Sequence, residues 1–298
     1  MRSKGEVFRF SISLIRQNGL TGAGQLRRVD LMKIRFSVSW GRTIPLMCGF
    51  LTWMAEPPPL AAQNRLLADY REVYVSPDVK SHQGYATDGT NHYTFDNQVI
   101  YKWRGDQDWS LIMSNNAPFA GISGLNHFGD GDYFEGKLYI VAEFWAGCTN
   151  YAHQSILVFD AASLGRLEVH DVSAQHHEVA GLAVAPSEGA GGIIYVASYC
   201  DGSKIFKYDL RTFQYLGPLP LSRPLSNLQG VAWHASRFYA PEDGGDIYTF
   251  TADGRVSLLY HDTHNGSHEG LKYAGLGLRW LIDEGAGKQR VHYISGMP

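Results

Sequence analysis

The feature that most constrains the fold is a short recurring opening in which a glycine precedes a strand-like run. The chain repeats this opening at Gly84, Gly131, Gly181, Gly230 and Gly270. Successive glycines are separated by 47, 50, 49 and 40 residues. A period of this size, with several strands in each unit, is typical of a β-propeller in which each repeat is one blade. We therefore predict an all-β chain whose blades surround one axis.

The number of strands in each repeat predicts how many blades there are and how the ring closes. Alternating apolar runs, separated by turn pairs such as Asp88-Gly89 and Asp253-Gly254, give four strands in each of the first four units. The fifth unit has only three, and the run at residues 72–75 can supply the fourth. We predict five blades of four antiparallel strands, closed by this N-terminal strand in the last blade, which removes a free sheet edge. Six blades is the alternative if the preceding residues add one.

The first 62 residues differ from the rest of the chain in charge. They carry nine Lys and Arg against three acids, whereas residues 63–298 carry 17 against 26. A basic stretch from Met32 precedes an apolar run of 13 residues, 43–55, and then prolines and Ala61-Ala62. This run is too short for a bilayer, which needs about 20 residues, so the pattern indicates a secretory signal peptide, with translation starting at Met32. A disordered or poorly packed arm is the alternative.

The remaining residues, 63–298, are predicted to form a single propeller domain that is secreted or periplasmic. Its acidic balance and the lack of a basic stripe argue against binding nucleic acid. The chain also has no apolar run long enough for a stable membrane span. We expect a monomer that takes a small-molecule ligand or substrate.

The residues before the repeated glycines predict a polar site at one mouth of the central channel. Glycine at the start of the innermost strand lets several strands crowd the axis, so the preceding side chain should project at the mouth. These side chains are Gln83, Asp130, Gln229 and Glu269, with Glu178 displaced by two positions. The alternative is a water-filled polar channel whose groups only satisfy one another.

A second set of acids should reach the same mouth. The loop between the second and third strands of each blade returns to the face where the first strand begins. Those loops carry Asp96, Glu143, Asp201, Glu242-Asp243 and Asp283-Glu284. A bound cation would ease the repulsion among them, and oxygen-rich sites of this kind suit calcium or another hard ion. The alternative is that each acid caps a turn and faces water.

Histidines beside these polar residues suggest acid–base chemistry. His82 precedes Gln83 and His268 precedes Glu269. A neutral imidazole near a carboxylate can act as a general base that activates water for ester or lactone cleavage. The predicted catalytic set is His268, His82 and Asp283. The predicted ligand-binding set is Gln83, Gln229, Glu143, Asp201 and Glu242.

Cysteines and tryptophans have mainly structural interpretations at this stage. Cys148 and Cys200 each follow a second strand in neighbouring units, so they can pair across blades in an oxidising compartment. The alternative is two free thiols, because a disulfide needs Cα atoms within about 7 Å. Tryptophans on or beside strands are expected to pack between blades, and these are Trp103, Trp145, Trp233 and Trp280.

The glycine-led openings across residues 72–298 resemble a propeller group that includes gluconolactonase-type lactonases, paraoxonase-like lactonases and strictosidine-synthase-like proteins. Five blades with Gln-Gly openings also resemble bacterial and plant-type glutamine cyclotransferases. In the lactonase group, Glu, Asn and Asp from different blades hold a calcium ion in the channel. That resemblance implies a divalent cation, calcium first, bound by Glu269, Asp130, Glu178 and Asn227.

Three functions follow as hypotheses from different classes. The first is a metal-dependent hydrolase of small esters or lactones, in which the ion polarises the carbonyl group and a histidine or an acid activates water. The second is a non-catalytic propeller that binds a small molecule, a glycan or a protein. The third is an acyl-cyclising enzyme of the cyclotransferase type. The metal hypothesis requires the carboxylate oxygens of Glu269, Asp130 and Glu178 to converge on one point.

Overall fold

The computed structural model of the protein describes residues 71–105, 108–262, 266–275 and 277–296. The predicted leader, residues 1–62, lies outside these ranges. The described residues form five sheets of four antiparallel strands each, so the all-β class and the five-bladed propeller are confirmed. A single 3₁₀ turn, Ser173–Gln175, is the helical element within these ranges. No helix among the described residues is long and apolar enough to cross a membrane.

The strands follow chain order around the ring, except that β1 (Arg71–Val75) belongs to the last blade. Blade 1 comprises β2 (Gly84–Thr87), β3 (Asn91–Asp96), β4 (Val99–Arg104) and β5 (Ser110–Asn115). Blade 2 comprises β6 (His127–Phe134), β7 (Lys137–Trp145), β8 (Tyr151–Asp160) and β9 (Arg166–Asp171). Blade 3 comprises β10 (Gly181–Ala185), β11 (Ile193–Ala197), β12 (Gly202–Asp209) and β13 (Tyr215–Leu225). Blade 4 comprises β14 (Ala232–His234), β15 (Arg237–Pro241), β16 (Asp246–Thr251) and β17 (Val256–His261). Blade 5 comprises β18 (Ser267–Ala274), β19 (Gly277–Asp283), β20 (Gln289–Ser295) and β1.

The two ends of the described chain close the ring inside blade 5, as predicted. Strand β1 pairs antiparallel with β20 and is the outermost strand of that sheet. The backbone pairing continues beyond β1, where the Val79 N–H donates to the Gln289 carbonyl at 2.8 Å. The buried His292 of β20 contacts Glu72 of β1 and, at 3.0 Å, Glu284 Oε1. Closure therefore combines backbone hydrogen bonds with a charged side-chain contact.

Apolar side chains fill the gap between each pair of neighbouring blades. Five buried clusters occupy the five gaps, and each draws side chains from the two flanking sheets. Trp103 lies in the cluster between blades 5 and 1, and Trp280 lies between blades 4 and 5. The predicted inter-blade role of these two tryptophans is therefore confirmed. Burial of such surfaces, at about 25 cal/mol per Å², is the main force that holds the blades together.

The repeated glycines lie where the inner strands meet at the axis. Each inner strand contacts the next, in the cyclic order β2, β6, β10, β14 and β18. A Cβ atom added to Gly181 would lie 2.7 Å from backbone atoms of Gly230, and one added to Gly270 would lie 2.7 Å from the Gly84 Cα. Real Cβ contacts are never this short, so any larger residue would push the inner strands apart. This crowding is the physical reason for the sequence repeat.

Two inner strands carry a β-bulge that turns an acid towards the axis. Relative to their partners, β6 has one extra residue after Phe128 and β18 has one after His268. A bulge re-aims side chains relative to the regular alternation of a strand. The bulges contain Asp130 and Glu269, which are 0% and 4% exposed. In blade 2 the closest approach to the neighbouring strand is made by Gly129, whose Cβ would lie 2.2 Å from the Ala180 carbonyl oxygen.

One buried ion pair at the axis connects all the blades. The Lys272 ammonium, on blade 5, contacts the Asp130 carboxylate, on blade 2. The same ammonium donates to three carbonyl oxygens, those of Leu182 at 3.1 Å, Val231 at 2.9 Å and Leu271 at 2.8 Å. Asp130 Oδ1 also accepts a hydrogen bond from the Tyr85 N–H of blade 1 at 3.0 Å. The axis is therefore filled by a hydrogen-bonded salt bridge at this level.

We predict that Lys272→Met lowers the free energy of unfolding by about 3–5 kcal/mol, because it leaves the Asp130 carboxylate buried without its counter-charge. Urea unfolding followed by circular dichroism measures this loss. The double variant Asp130→Asn with Lys272→Met should recover part of it, since no buried charge remains. Lys137→Met is the control, because Lys137 and Glu168 form a half-exposed pair at 3.1 Å, for which about 0–1 kcal/mol is expected. Equal losses in Lys272→Met and the control would contradict the assignment.

Candidate active site

A cavity of about 300 Å³ lies at the end of the ring where the inner strands begin. Its wall consists of residues that precede inner strands and of residues at or after the ends of second strands. These lining residues are Gln83, His127, Gly129, Glu143, Trp145, Glu178, Val179, Ala180, Tyr199, Gln229, Asp243 and Ser267. The cavity is therefore at the predicted mouth, and it contains Gln83, Gln229, Glu143 and Glu178 from the predicted site residues.

Glu143 is the buried acid on the blade 2 side of the cavity. It lies near the end of β7, opposite His127 in the strand pairing, and is 1% exposed. Its Oε2 accepts a hydrogen bond from the Val179 N–H at 3.2 Å. Burial, reinforced by the charge of nearby Glu178, raises the pKa of Glu143 to about 9. The Glu143 carboxyl group therefore holds its proton at neutral pH.

Glu178 is equally buried but better provided with hydrogen-bond donors. Its Oε2 accepts from the Ser198 hydroxyl at 2.6 Å, and its Oε1 accepts from the Cys200 N–H at 2.8 Å. Burial raises the pKa of Glu178, while these donors oppose the rise. Because hydrogen bonds to the charged form favour ionisation, Glu178 is the better stabilised carboxylate of the pair that it forms with Glu143.

Glu269 lies deeper, at the bulge of β18, and one of its oxygens has no hydrogen-bond partner. It is 4% exposed, and among the described residues no donor reaches its Oε2. Burial raises the pKa of Glu269 to about 8, and the charges of Asp243, Asp283 and Asp130 add to this rise. The Glu269 charge in turn contributes to the raised pKa of Tyr199, a cavity-lining residue. The mouth thus contains two buried carboxyl groups that stay protonated at pH 7.

Aromatic and imidazole rings complete the wall. The rings of Trp145 and Tyr199 are nearly perpendicular, with centroids 6.2 Å apart. The His127 ring stacks on Trp145, also at 6.2 Å. Burial lowers the pKa of His127 to about 4, and nearby His82 adds to this effect. His127 is therefore a neutral imidazole at pH 7, which can accept or donate a proton.

The two predicted catalytic histidines do not line the cavity. His82 contacts Asp96 at 3.1 Å, and its side chain is 39% exposed. His268 is 1% exposed, and its Nε2 contacts Asp262 Oδ2 at 2.8 Å while its Nδ1 contacts the Asp243 carbonyl at 3.0 Å. Neighbouring residues on a strand point to opposite faces, and the His268 ring packs against Trp280 at 4.5 Å. His268 thus lies among buried side chains of blades 4 and 5.

Four other predicted site residues make local structural contacts outside the cavity wall. Asp201 pairs with Lys204 at 2.7 Å, and Glu242 Oε1 accepts from the Ser226 N–H at 2.6 Å. Asp283 Oδ1 accepts from the Gly285 N–H at 3.0 Å, which is a turn contact. Asn227 is exposed and lies at a positive φ of 51°. The turn-capping alternative describes Asp283, whereas Asp201 pairs with a lysine and Glu242 accepts from a backbone N–H 16 residues away.

The four residues predicted as metal ligands do not converge. Asp130 is engaged by Lys272 at the axis, Glu178 is held by Ser198, and Asn227 is on the surface. Within the described ranges, no three His, Cys, Asp or Glu side chains come together as a metal-binding group. The bulge in β6 turns Asp130 into the ring, where a lysine supplies the positive charge. The residues present therefore do not fit the lactonase-type calcium site, and a divalent cation remains a prediction without a ligand set.

Cys148 and Cys200 form a disulfide between blades 2 and 3. Their Cα atoms lie 5.6 Å apart, within the distance that a disulfide requires. The two cysteines lie in the loops that follow β7 and β11. Of the two alternatives drawn from the sequence, a disulfide and two free thiols, the structure has the disulfide.

Several cavity residues were not among the predicted site residues. Trp145 contacts Tyr199 of the next blade, as expected, and it also lines the cavity. Tyr199, Ser267 and His127 line the cavity as well. Their shared feature is position, because each lies next to a predicted acid or at the end of a first or second strand. The predicted site residues were mainly polar and acidic residues at the ends of first and second strands. Considering every residue type at these positions would have identified the other lining residues.

Comparison with known proteins supports the fold. No protein family matches the chain, and no curated protein matches it. The crystal structure of a glutaminyl cyclase from Myxococcus xanthus superposes with a TM-score of 0.55 and 10% identity, over 76% of this chain and 95% of the other. A gluconolactonase from Xanthomonas campestris superposes with a TM-score of 0.47 and 16% identity, over 78% and 93%. The Myxococcus xanthus superposition thus supports the propeller fold of this chain.

We predict that Glu143→Gln raises the melting temperature, and that the gain grows between pH 5 and pH 9. The folded protein keeps the Glu143 proton up to about pH 9, whereas the unfolded chain releases it near pH 4.3. The wild-type protein therefore loses stability as the pH rises from about 4.3 to about 9. Glutamine does not titrate, so the Glu143→Gln variant does not lose this stability. For a domain of this size, roughly 2–4 °C corresponds to each kcal/mol.

Differential scanning fluorimetry across this pH range measures the effect. Glu168→Gln is the matched control, because hydrogen bonds from His170 and Lys137 lower the pKa of that exposed acid. Its removal should give no gain at alkaline pH. A pH-independent shift in Glu143→Gln would show that Glu143 is ionised in the folded protein.

Proposed function

We propose that the mouth cavity is the active site of an enzyme that moves protons onto and off a small acyl substrate through Glu143. The first reaction to test is the cyclisation of an N-terminal glutaminyl residue. The single observation that carries the proposal is the buried Glu143 carboxyl group, which lines the cavity and has a pKa raised to about 9. Groups with strongly shifted pKa values in clefts are candidates for catalysis.

The proposed reaction uses both protonation states of one carboxyl group. The substrate α-amine attacks the side-chain amide carbon, a C–N bond forms in the ring, and the bond to the amide nitrogen breaks. Protonated Glu143 gives its proton to the leaving nitrogen, which departs as ammonia. The resulting carboxylate then takes a proton from the ring nitrogen, which returns Glu143 to its starting state. General acid–base transfer of this kind contributes about 10²–10⁴-fold to a rate.

The other cavity residues suit such a substrate. Acids and aromatic rings line the cavity, and none of its described lining residues is Lys or Arg. This combination favours a ligand that carries an ammonium group. An α-amine has a pKa of about 7.7–8.0, so it is available in both charged and neutral forms near pH 8. The carboxamides of Gln83 and Gln229 can hydrogen-bond to an amide of the substrate.

The fold comparison adds limited support to the same choice. The Myxococcus xanthus protein, named a glutaminyl cyclase, has a similar overall fold at 10% identity. That similarity concerns the arrangement of blades and not the side chains of the cavity. It decides which substrate is tried first, while the argument for catalysis depends on Glu143.

Hydrolysis of small esters or lactones is the second candidate. It was the first expectation from the sequence, and the protonated Glu143 can serve it as a general acid. The neutral imidazole of His127, on the same wall, can activate water. Among the described residues, no group of three or more His, Cys, Asp or Glu side chains could hold a metal ion. We therefore propose the form of this reaction that uses no metal. If neither reaction occurs, the remaining hypothesis is a non-catalytic propeller that binds a small molecule, a glycan or a protein.

We also propose that the protein is exported. The basic and apolar pattern of the leader supports a signal peptide, and a disulfide is typical of oxidising compartments. Export would place the cavity in contact with extracellular or periplasmic peptides and small molecules.

We predict that the protein releases ammonia from glutaminyl peptides, measured by a coupled assay, and that Glu143→Gln lowers kcat by about 10²–10⁴-fold. Activity should decline above roughly pH 9, where Glu143 loses its proton. Glu168→Gln, on the outer strand β9, should keep full activity. A panel of lactones and aryl esters, run with and without a chelator, tests the second candidate. Turnover that survives Glu143→Gln unchanged would exclude the proposed role of this residue.

A further inference from the structure

The disulfide joins the two loops that carry the aromatic wall of the cavity. Cys148 lies three residues after Trp145, and Cys200 directly follows Tyr199. The Trp145 and Tyr199 rings meet at a centroid distance of 6.2 Å, on the side of the cavity where the Cα atoms of the two cysteines are 5.6 Å apart. The covalent link between blades 2 and 3 therefore lies beside the ring contact between the same two blades.

The Cys200 loop also holds a cavity acid. Both carboxylate oxygens of Glu178 accept hydrogen bonds from this loop, one from the Cys200 N–H at 2.8 Å and one from the Ser198 hydroxyl at 2.6 Å. Ser198 and Glu178 are 0% and 1% exposed, so water does not readily replace these donors. A displacement of the loop would leave a buried carboxyl group without partners, which is costly. The positions of the loop and of Glu178 are thus coupled.

The other wall loop is fixed by a different contact. The side chain of Asn126 makes two hydrogen bonds with the Trp145 backbone, donating to its carbonyl at 3.0 Å and accepting from its N–H at 2.7 Å. The turn beyond it closes when the Asn150 N–H donates to the Gly147 carbonyl at 2.8 Å. Trp145 therefore has its own anchor in blade 2. The disulfide connects this anchored loop to the Tyr199 loop of blade 3.

The ring itself does not depend on this crosslink. Blades 2 and 3 share a buried apolar cluster that includes Val141, Ile156, Leu182 and Val196. The axis salt bridge also connects these blades, through Asp130 and the Leu182 carbonyl. Because these contacts dock the two blades, loss of the disulfide should act mainly on the loops.

We propose that Cys148–Cys200 is a positioning crosslink that holds Trp145, Tyr199 and Glu178 in the arrangement that binds substrate. A dithiol reductant would donate two electrons and two protons to the S–S bond, forming two thiols and a cyclic disulfide of the reductant. The released loops would separate, and substrate binding would weaken while the propeller stays folded. Cavity function would then depend on an oxidising environment. Only the turnover test of this inference rests on the proposed function.

Hydrogen exchange measured by mass spectrometry tests the positioning role without any substrate. We compare the wild-type protein with Cys148→Ser/Cys200→Ser, and with the wild-type protein after reduction. The expected result is a loss of protection of about tenfold in residues 145–151 and 198–201, with blades 1, 4 and 5 unchanged within about twofold. An unchanged pattern, or a loss spread evenly over all blades, would overturn the inference.

Kinetics provides the second arm. In the double variant, KM for the glutaminyl peptide or ester should rise about tenfold while kcat stays within about threefold, the sign of lost ground-state binding. Leu278→Ala is the destabilised control, because Leu278 is buried in the cluster between blades 4 and 5. It should lower the melting temperature without raising KM. If the wild-type protein turns over neither substrate, the proposed function fails, and the exchange result alone decides the crosslink.

Discussion

The crowding of five inner strands at one axis is the constraint that the structure must meet, and the buried salt bridge between Asp130 and Lys272 meets it with contacts to every blade. Five inner strands crowd one axis with glycine at the closest approaches, so little apolar side-chain volume is available there. The backbone carbonyl groups that face the axis must instead be hydrogen-bonded by polar partners. One ammonium group does this for three carbonyl oxygens and one carboxylate. Burying such a pair is costly in itself, but four oxygen atoms surround the three N–H groups of the ammonium, and Asp130 also accepts from the Tyr85 N–H.

The carboxyl groups at the mouth have no such partner. The Lys272 ammonium contacts Asp130 at the axis, and no lysine or arginine is among the described residues that line the cavity. Glu143 and Glu269 are therefore buried without a counter-charge, and burial raises the pKa of each. The carboxyl groups stay neutral instead of being paired, which is the condition under which an acid can donate a proton at neutral pH. Buried carboxyl groups are thus accommodated in two ways, by pairing with a lysine at Asp130 and by protonation at Glu143 and Glu269.

The sequence predicts the parts of this molecule that depend on periodicity. Gly84, Gly181, Gly230 and Gly270 gave the axis, and the count of strands gave five blades and the closure by β1. It does not predict the two β-bulges, because one extra residue in a strand changes no composition or period. Without the bulge in β6, Asp130 would be expected at the mouth as a metal ligand, which is how it was interpreted. Lys272 went unnoticed for a related reason, since a lysine in an alternating strand normally faces water.

Two different kinds of constraint therefore maintain the fold and the cavity. The fold depends on apolar clusters in every gap between blades and on the ion pair at the axis. The cavity depends on loop contacts at the rim, where Glu178 obtains its donors from the segment that contains Cys200. The Myxococcus xanthus structure has a similar fold at 10% identity, and similarity of the fold alone does not determine the side chains of the cavity.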